Sequence, residues 1–112
     1  MHGKYTLHTS GTTQFHWDLK APDAQTMLSS QVYEERSGAE TGIASCRLNS
    51  PDEARYERLT TRDSKSYFVL KALNGEIIGT SQMYPSKATC DRAIASCKAS
   101  GPLAKTTYST TR

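Results

Sequence analysis

The chain has 112 residues, 36% of them hydrophobic and 22% charged, with a net charge of +3. Such a length suits one domain with a modest core, and no apolar run approaches the roughly 20 residues of a bilayer-spanning helix, which excludes a helical membrane protein. Met1-His2-Gly3-Lys4-Tyr5 has no apolar signal core, so a cytoplasmic location is expected.

Tyr5 to Thr9 reads as a short strand and Ser10-Gly11-Thr12-Thr13 as a turn. Phe15, Trp17, Leu19 and Ala21 then alternate with His16, Asp18 and Lys20, the period of two that marks a half-buried strand. Pro22-Asp23 turns the chain, and Gln25 to Gln31 returns as a third strand. A helix follows, with Ala39, Gly42, Ile43 and Cys46 on one stripe. Gly38 and Gly42 lower its intrinsic propensity by up to ~1 kcal/mol each relative to Ala, so packing must hold it.

Arg55 to Thr61 is strand-like again, as is Tyr67 to Ala72. Asn74-Gly75 is a strong hairpin signal, because both residues accept positive φ. Ile77 to Ser81 completes the second hairpin. Ser86 can cap a second helix, whose stripe is Cys90, Ala93, Ile94 and Cys97, and Gly101-Pro102 stops it. Ala104 to Thr111 is a last strand-like segment.

This order repeats. Shifted by 51 residues, the chain matches itself without a gap: Tyr5 on Tyr56, Leu19-Lys20-Ala21 on Leu70-Lys71-Ala72, Tyr33 on Tyr84, Ile43-Ala44-Ser45-Cys46 on Ile94-Ala95-Ser96-Cys97, and Pro51 on Pro102. A fixed offset marks tandem duplication. The expected repeats are 1–51 and 52–112. Each is marginal alone, so both should pool their apolar faces in one compact pseudo-two-fold body. Trp17, Leu19, Ile43, Phe68, Leu70 and Ile94 are the expected core.

The strings Tyr67-Phe68-Val69-Leu70-Lys71-Ala72-x-Asn74-Gly75-Glu76 and Tyr84-x-Ser86-Lys87, with Ile94-Ala95-Ser96 and Ser50-Pro51-Asp52-x-Ala54-Arg55-Tyr56-Glu57, resemble the YegP-like family. That is a small bacterial family of unknown function, built of tandem units of about 50 residues. The resemblance implies an α+β fold: two β(3)-α-β repeats sharing one antiparallel sheet, the helices on one side, and the strands after the helices exchanged between repeats. It implies no activity. The first repeat departs from the family pattern at Asp23-Ala24, where Asn-Gly is usual, which leaves the type of its first hairpin turn open.

The three cysteines are an odd number without an export signal, so free thiols are expected. Cys90 and Cys97 would lie about 10.5 Å apart along a helix, beyond the roughly 7 Å of a disulfide. Cys46 and Cys97 sit on apolar stripes and read as core. Cys90, nearer a helix start, is the candidate reactive thiol.

His8, His16 and Asp18 would share a sheet face and are possible ligands for a divalent ion. Their counterparts Leu59, Tyr67 and Val69 offer no imidazole or carboxylate, and no fourth ligand is evident, so they read as surface residues and no metal is assigned. His2 reads as a terminal residue outside any site. No phosphate loop, dinucleotide fingerprint or nucleophile elbow occurs, so no cofactor and no enzyme activity are expected.

Charge divides the repeats. Residues 1–51 hold four Lys/Arg and five Asp/Glu, a balance of −1; residues 52–112 hold ten and six, a balance of +4. Arg55, Arg58, Arg62, Lys65 and Lys71 are the candidate partner surface. Binding of nucleic acid through them is the alternative reading, expected to be weak or absent. The preferred reading is a monomeric, non-catalytic protein-interaction module that offers a sheet edge, with Lys105 to Thr111 among the candidates.

Overall fold

In a computed structural model of the chain, residues 3–11 and 14–111 are described. Ten elements follow one another: β1 (Lys4–Ser10), β2 (Gln14–Lys20), β3 (Thr26–Ser29), α1 (Arg36–Asn49), a 3₁₀ turn (Glu53–Arg55), β4 (Tyr56–Thr60), β5 (Ser66–Lys71), β6 (Ile77–Thr80), α2 (Lys87–Ser100) and β7 (Lys105–Thr111). Gly11 occupies the first turn at φ +65°. Thr12 and Thr13 of that expected turn, and His2, lie outside the described residues.

The strands form one sheet in the order β4-β5-β6-β3-β2-β1-β7. Each repeat lays down its three strands as a meander, and the two meanders meet at β3 and β6. The registers agree: Tyr5 faces Leu19 as Tyr56 faces Leu70, and the ladder shifts at Leu19/Lys20 as at Leu70/Lys71. The α+β fold and the crossing of β7 to the first repeat follow the expectation.

One pairing does not. β7 runs parallel to β1, from Lys4↔Lys105 to Ser10↔Thr111, while the other neighbouring strands are antiparallel. The direction follows from the duplication. β4, leaving α1, takes in the second repeat the place that β1 takes in the first. β7 leaves α2 in the same sense, finds that place filled by β1, and lies alongside it.

The hairpin turns also differ from the expected two-residue form. Gly75 N–H donates to Ala72 O and Ala72 N–H to Glu76 O, both at 2.9 Å, with Gly75 at φ +88°. This is a three-residue loop closed by one left-handed residue. The first repeat builds the same loop with Ala24 at φ +71°. Asp23 Oδ1 accepts from Gln25 N–H as Asn74 Oδ1 accepts from Glu76 N–H.

Both helices contribute to the core on one side of the sheet. Alternation sends Tyr5, Leu7, Trp17 and Leu19 inward from the first repeat, and Tyr56, Phe68 and Leu70 from the second, against Ala39, Ile43, Cys46, Cys90, Ile94 and Cys97. All six expected core residues are buried. Full burial of each large apolar side chain is worth about 1.5–3 kcal/mol.

The repeats interlock more than their one β3–β6 ladder pair, Ser29↔Thr80, suggests. α1 packs on β2 and on β6, and α2 on β5 and on β3. Tyr5 Oη donates to Gly101 O at the end of α2, and Tyr56 Oη to Ser50 O at the end of α1, each at 2.6 Å. Each tyrosine therefore ties one repeat's strand to the other repeat's helix end. At the seam, a Cβ on Gly79 would come within 2.8 Å of Leu28 Cγ. Leu28 fills the space for both repeats, which is why its own counterpart is glycine. Among the described residues no helix is long and apolar enough to cross a membrane.

Candidate functional site

The sheet ends in two edges of different character. At the β4 edge, Arg58 stands where the first repeat has Leu7. Its guanidinium pairs with Glu53 Oε2 at 2.6 Å and with Asp91 Oδ1 at 2.8 Å, and Lys98 also reaches Glu53. The cations hold the Glu53 carboxyl down at about 2. On the other face of the sheet Lys71 Nζ meets Glu57 at 2.5 Å. Charges of this kind blunt an edge.

In the first repeat β1 is covered, so Leu7 can be buried, and the edge passes outward to β7. Arg47 fastens this strand: Nη1 donates to Ala104 O and Nη2 to Thr106 Oγ1 at 2.8 Å, while the guanidinium lies over the Tyr5 ring. The Thr6 and Thr107 hydroxyls meet at 3.3 Å, and Thr107 also donates to Tyr5 O. β7 is seven residues long, and its described side chains carry one charge, at Lys105. Tyr108 is 58% exposed, with Arg36 over its ring. A cleft of about 180 Å³ lies beside the strand, lined by Glu40, Ile43, Ala44, Arg47, Thr106 and Tyr108. The sequence showed the Thr-rich strand. It did not show Arg47 as its anchor, because the match of Arg47 to Lys98 records charge and not contact.

The five basic candidates do not form one surface. Lys71 lies on the open face, away from Arg58 on the helix side. Arg55 faces Asp52 at 3.4 Å and Lys65 faces Asp63 at 3.8 Å, while Arg62 is exposed on the β4–β5 turn. Four of the five thus spend their charge on neighbouring carboxylates. Of the aromatics that could stack bases, Tyr56 and Phe68 are in the core and Tyr67 is half-buried.

Cys90 is buried, and burial followed by the Asp91 charge pushes its thiol up, with Arg58 opposing. The activation expected near a helix start is outweighed by desolvation. Cys46, pushed up to about 12, and Cys97, also raised, are buried hydrophobes.

Two other clefts, of about 550 and 310 Å³, each lie between one helix and the other repeat's hairpin. They correspond through the offset: Tyr33, Gly38, Thr41, Gly42 and Ser45 in the first match Tyr84, Thr89, Arg92, Ala93 and Ser96 in the second. Neither lining includes histidine or cysteine.

His8, His16 and Asp18 do converge, on the open sheet face. His8 and His16 are cross-strand partners with stacked rings, centroids 4.6 Å apart. His8 Nε2 meets Asp18 Oδ2 at 2.8 Å, and Ser29 Oγ donates to Asp18 Oδ1 at 2.7 Å.

The model of a family described as a domain of unknown function, DUF1508, matches residues 12–57 and again 62–107. UPF0339 protein YegP of Escherichia coli K12 is 48% identical over 101 residues, covering 90% of this chain and 92% of that protein. A UPF0339 protein of Acinetobacter baylyi is 43% identical over 104 residues, 93% of this chain and 94% of that one. The solution NMR structure of a UPF0339 protein from Shewanella oneidensis superposes with a TM-score of 0.91 at 44% identity, covering 98% of this chain and 93% of that chain. The solution NMR structure of Escherichia coli YegP, described as a protein of unknown function, also gives 0.91 at 44% identity, covering 100% and 97%.

Proposed function

The chain belongs to the DUF1508 family, and from that premise we propose that it is a non-catalytic module that recruits another protein by accepting an extended segment along the outer edge of β7. The observation that carries this is the contrast of edges. β4 is closed by a network of ion pairs, while β7 presents a long row of backbone groups with one charged side chain at its start.

An added strand satisfies those backbone groups through main-chain hydrogen bonds, which supply affinity. Pockets for alternate side chains supply specificity. The cleft between α1 and β7 is placed for one such side chain. Ile43 and Ala44 give it an apolar floor, and Glu40 and Arg47 give it polar walls. The non-catalytic reading is supported by the two clefts between helix and hairpin, whose linings hold neither histidine nor cysteine.

The test is affinity capture from a bacterial lysate with the tagged full chain and with Tyr108→Glu. Tyr108 is exposed, so the substitution should leave the fold intact, and circular dichroism checks that it does. A partner held by the parent chain and lost with Tyr108→Glu is the expected result. Equal capture by both chains, or none by either, would contradict the proposal.

A further inference from the structure

We propose that His8, His16 and Asp18 form a binding site for a divalent transition-metal ion, of which zinc is the representative, on the open face of the first repeat. This inference is independent of the β7 edge.

The strand ladder sets the geometry. His8 and His16 are directly opposite on β1 and β2, so their Cβ atoms leave the sheet side by side. Asp18 is two residues beyond His16 and shares its face. One ligand atom from each of the three lies within 4.8 Å of the others. Bonds of about 2.0–2.2 Å at tetrahedral angles need donors ~3.3 Å apart. His8 Nε2 and Asp18 Oδ2, at 2.8 Å, are already near that spacing. The His16 ring, stacked on His8 with centroids 4.6 Å apart, would have to turn to bring in the third donor.

Two features separate the cluster from a chance pair of surface side chains. First, Ser29 on β3 binds the other Asp18 oxygen at 2.7 Å, so the carboxylate is oriented with Oδ2 turned to His8. Outer-shell hydrogen bonds of this kind fix a ligating carboxylate. The groups are also held: His8 is 22% and Asp18 17% exposed at the side chain. Second, the fold does not require these residues. The same three positions in the second repeat carry Leu59, Tyr67 and Val69 in the same ladder register. Strand pairing is satisfied there with no imidazole and no carboxylate.

Two imidazoles and one carboxylate suit zinc and its first-row neighbours better than magnesium or calcium, which prefer all-oxygen sites. Three protein ligands on an open face leave the remaining positions to water or to a group on another molecule.

Zinc titration of the full chain by calorimetry and by NMR of the histidine rings tests the site. A His2→Ala background removes the third histidine as a competing ligand. One equivalent should bind, the His8 and His16 ring signals should shift together, and zinc should raise the melting temperature. His16→Ala and Asp18→Asn should each weaken binding by at least ~tenfold, and Ser29→Ala by about tenfold. Dispersed amide spectra would show that the variants fold. No binding up to millimolar zinc would overturn the proposal. So would affinity unchanged in both His16→Ala and Asp18→Asn, or shifts confined to the cysteines.

Discussion

Ala24 carries the clearest strain at a single residue. It holds φ +71° in a loop where its counterpart Gly75 holds φ +88°. An L side chain in the left-handed region costs about 1–2 kcal/mol, which glycine avoids. Ala24→Gly should therefore stabilise the chain by roughly 1 kcal/mol in urea unfolding, less the entropy glycine adds to the unfolded state. A loss of stability would contradict the turn geometry. Ile94 makes the opposite case. It is 1% exposed in the centre of the α2 stripe. Ile94→Ala should cost about 2–4 kcal/mol by the same measurement, and a change below ~0.5 kcal/mol would mean that the helix face is wrong. The periodic pattern made Ile94 legible as core. The conformation of Ala24 was not legible, because alanine carries no signal for positive φ; only alignment with Asn74-Gly75 pointed to it.

The two helices show what duplication left uneven at the level of elements. Ser86 caps α2, its Oγ accepting from Thr89 N–H at 3.1 Å, whereas Glu35 at the same position of α1 makes no side-chain cap. Ser86→Ala should cost about 0.5–2 kcal/mol, and Glu35→Ser should recover a comparable fraction for α1, read as shifts of the urea midpoint. No change in either variant would contradict the cap assignment. Gly38 and Gly42 led to the expectation that α1 depends more on packing than α2, but the sequence did not show why the glycines are there. A Cβ on Gly42 would lie 2.5 Å from Tyr33 Oη and 2.8 Å from Trp17 Nε1. Helix propensity is given up so that a tyrosine and the only tryptophan can lie against the helix backbone. The parallel β1–β7 pair was hidden for a related reason: a strand's sequence reports its faces, not the direction of its neighbour.

For the whole molecule, the repeats are held by shared packing rather than by the sheet seam, where β3 and β6 contribute one ladder pair. Helices that each rest on both repeats, and tyrosines that cross to the opposite helix end, should make unfolding cooperative. Trp17 fluorescence reports the first repeat and exchange of the α2 amides the second; coincident unfolding is expected, and separated midpoints would show two independent units. The candidate site was partly legible at this scale. The Thr-rich strand and the His8, His16 and Asp18 face were read from alternation. The pairing of Arg58 with Asp91 and of Lys71 with Glu57 was not, because these carboxylates lie on other elements. Site-resolved hydrogen exchange of the full chain, alone and with its captured partner, tests the proposed strand-accepting edge most directly. The account predicts that amides within Lys105–Thr111 slow on binding while those of Tyr56–Thr60 keep their rates. Slowing at Tyr56–Thr60 or on the helices, with β7 unchanged, would contradict it.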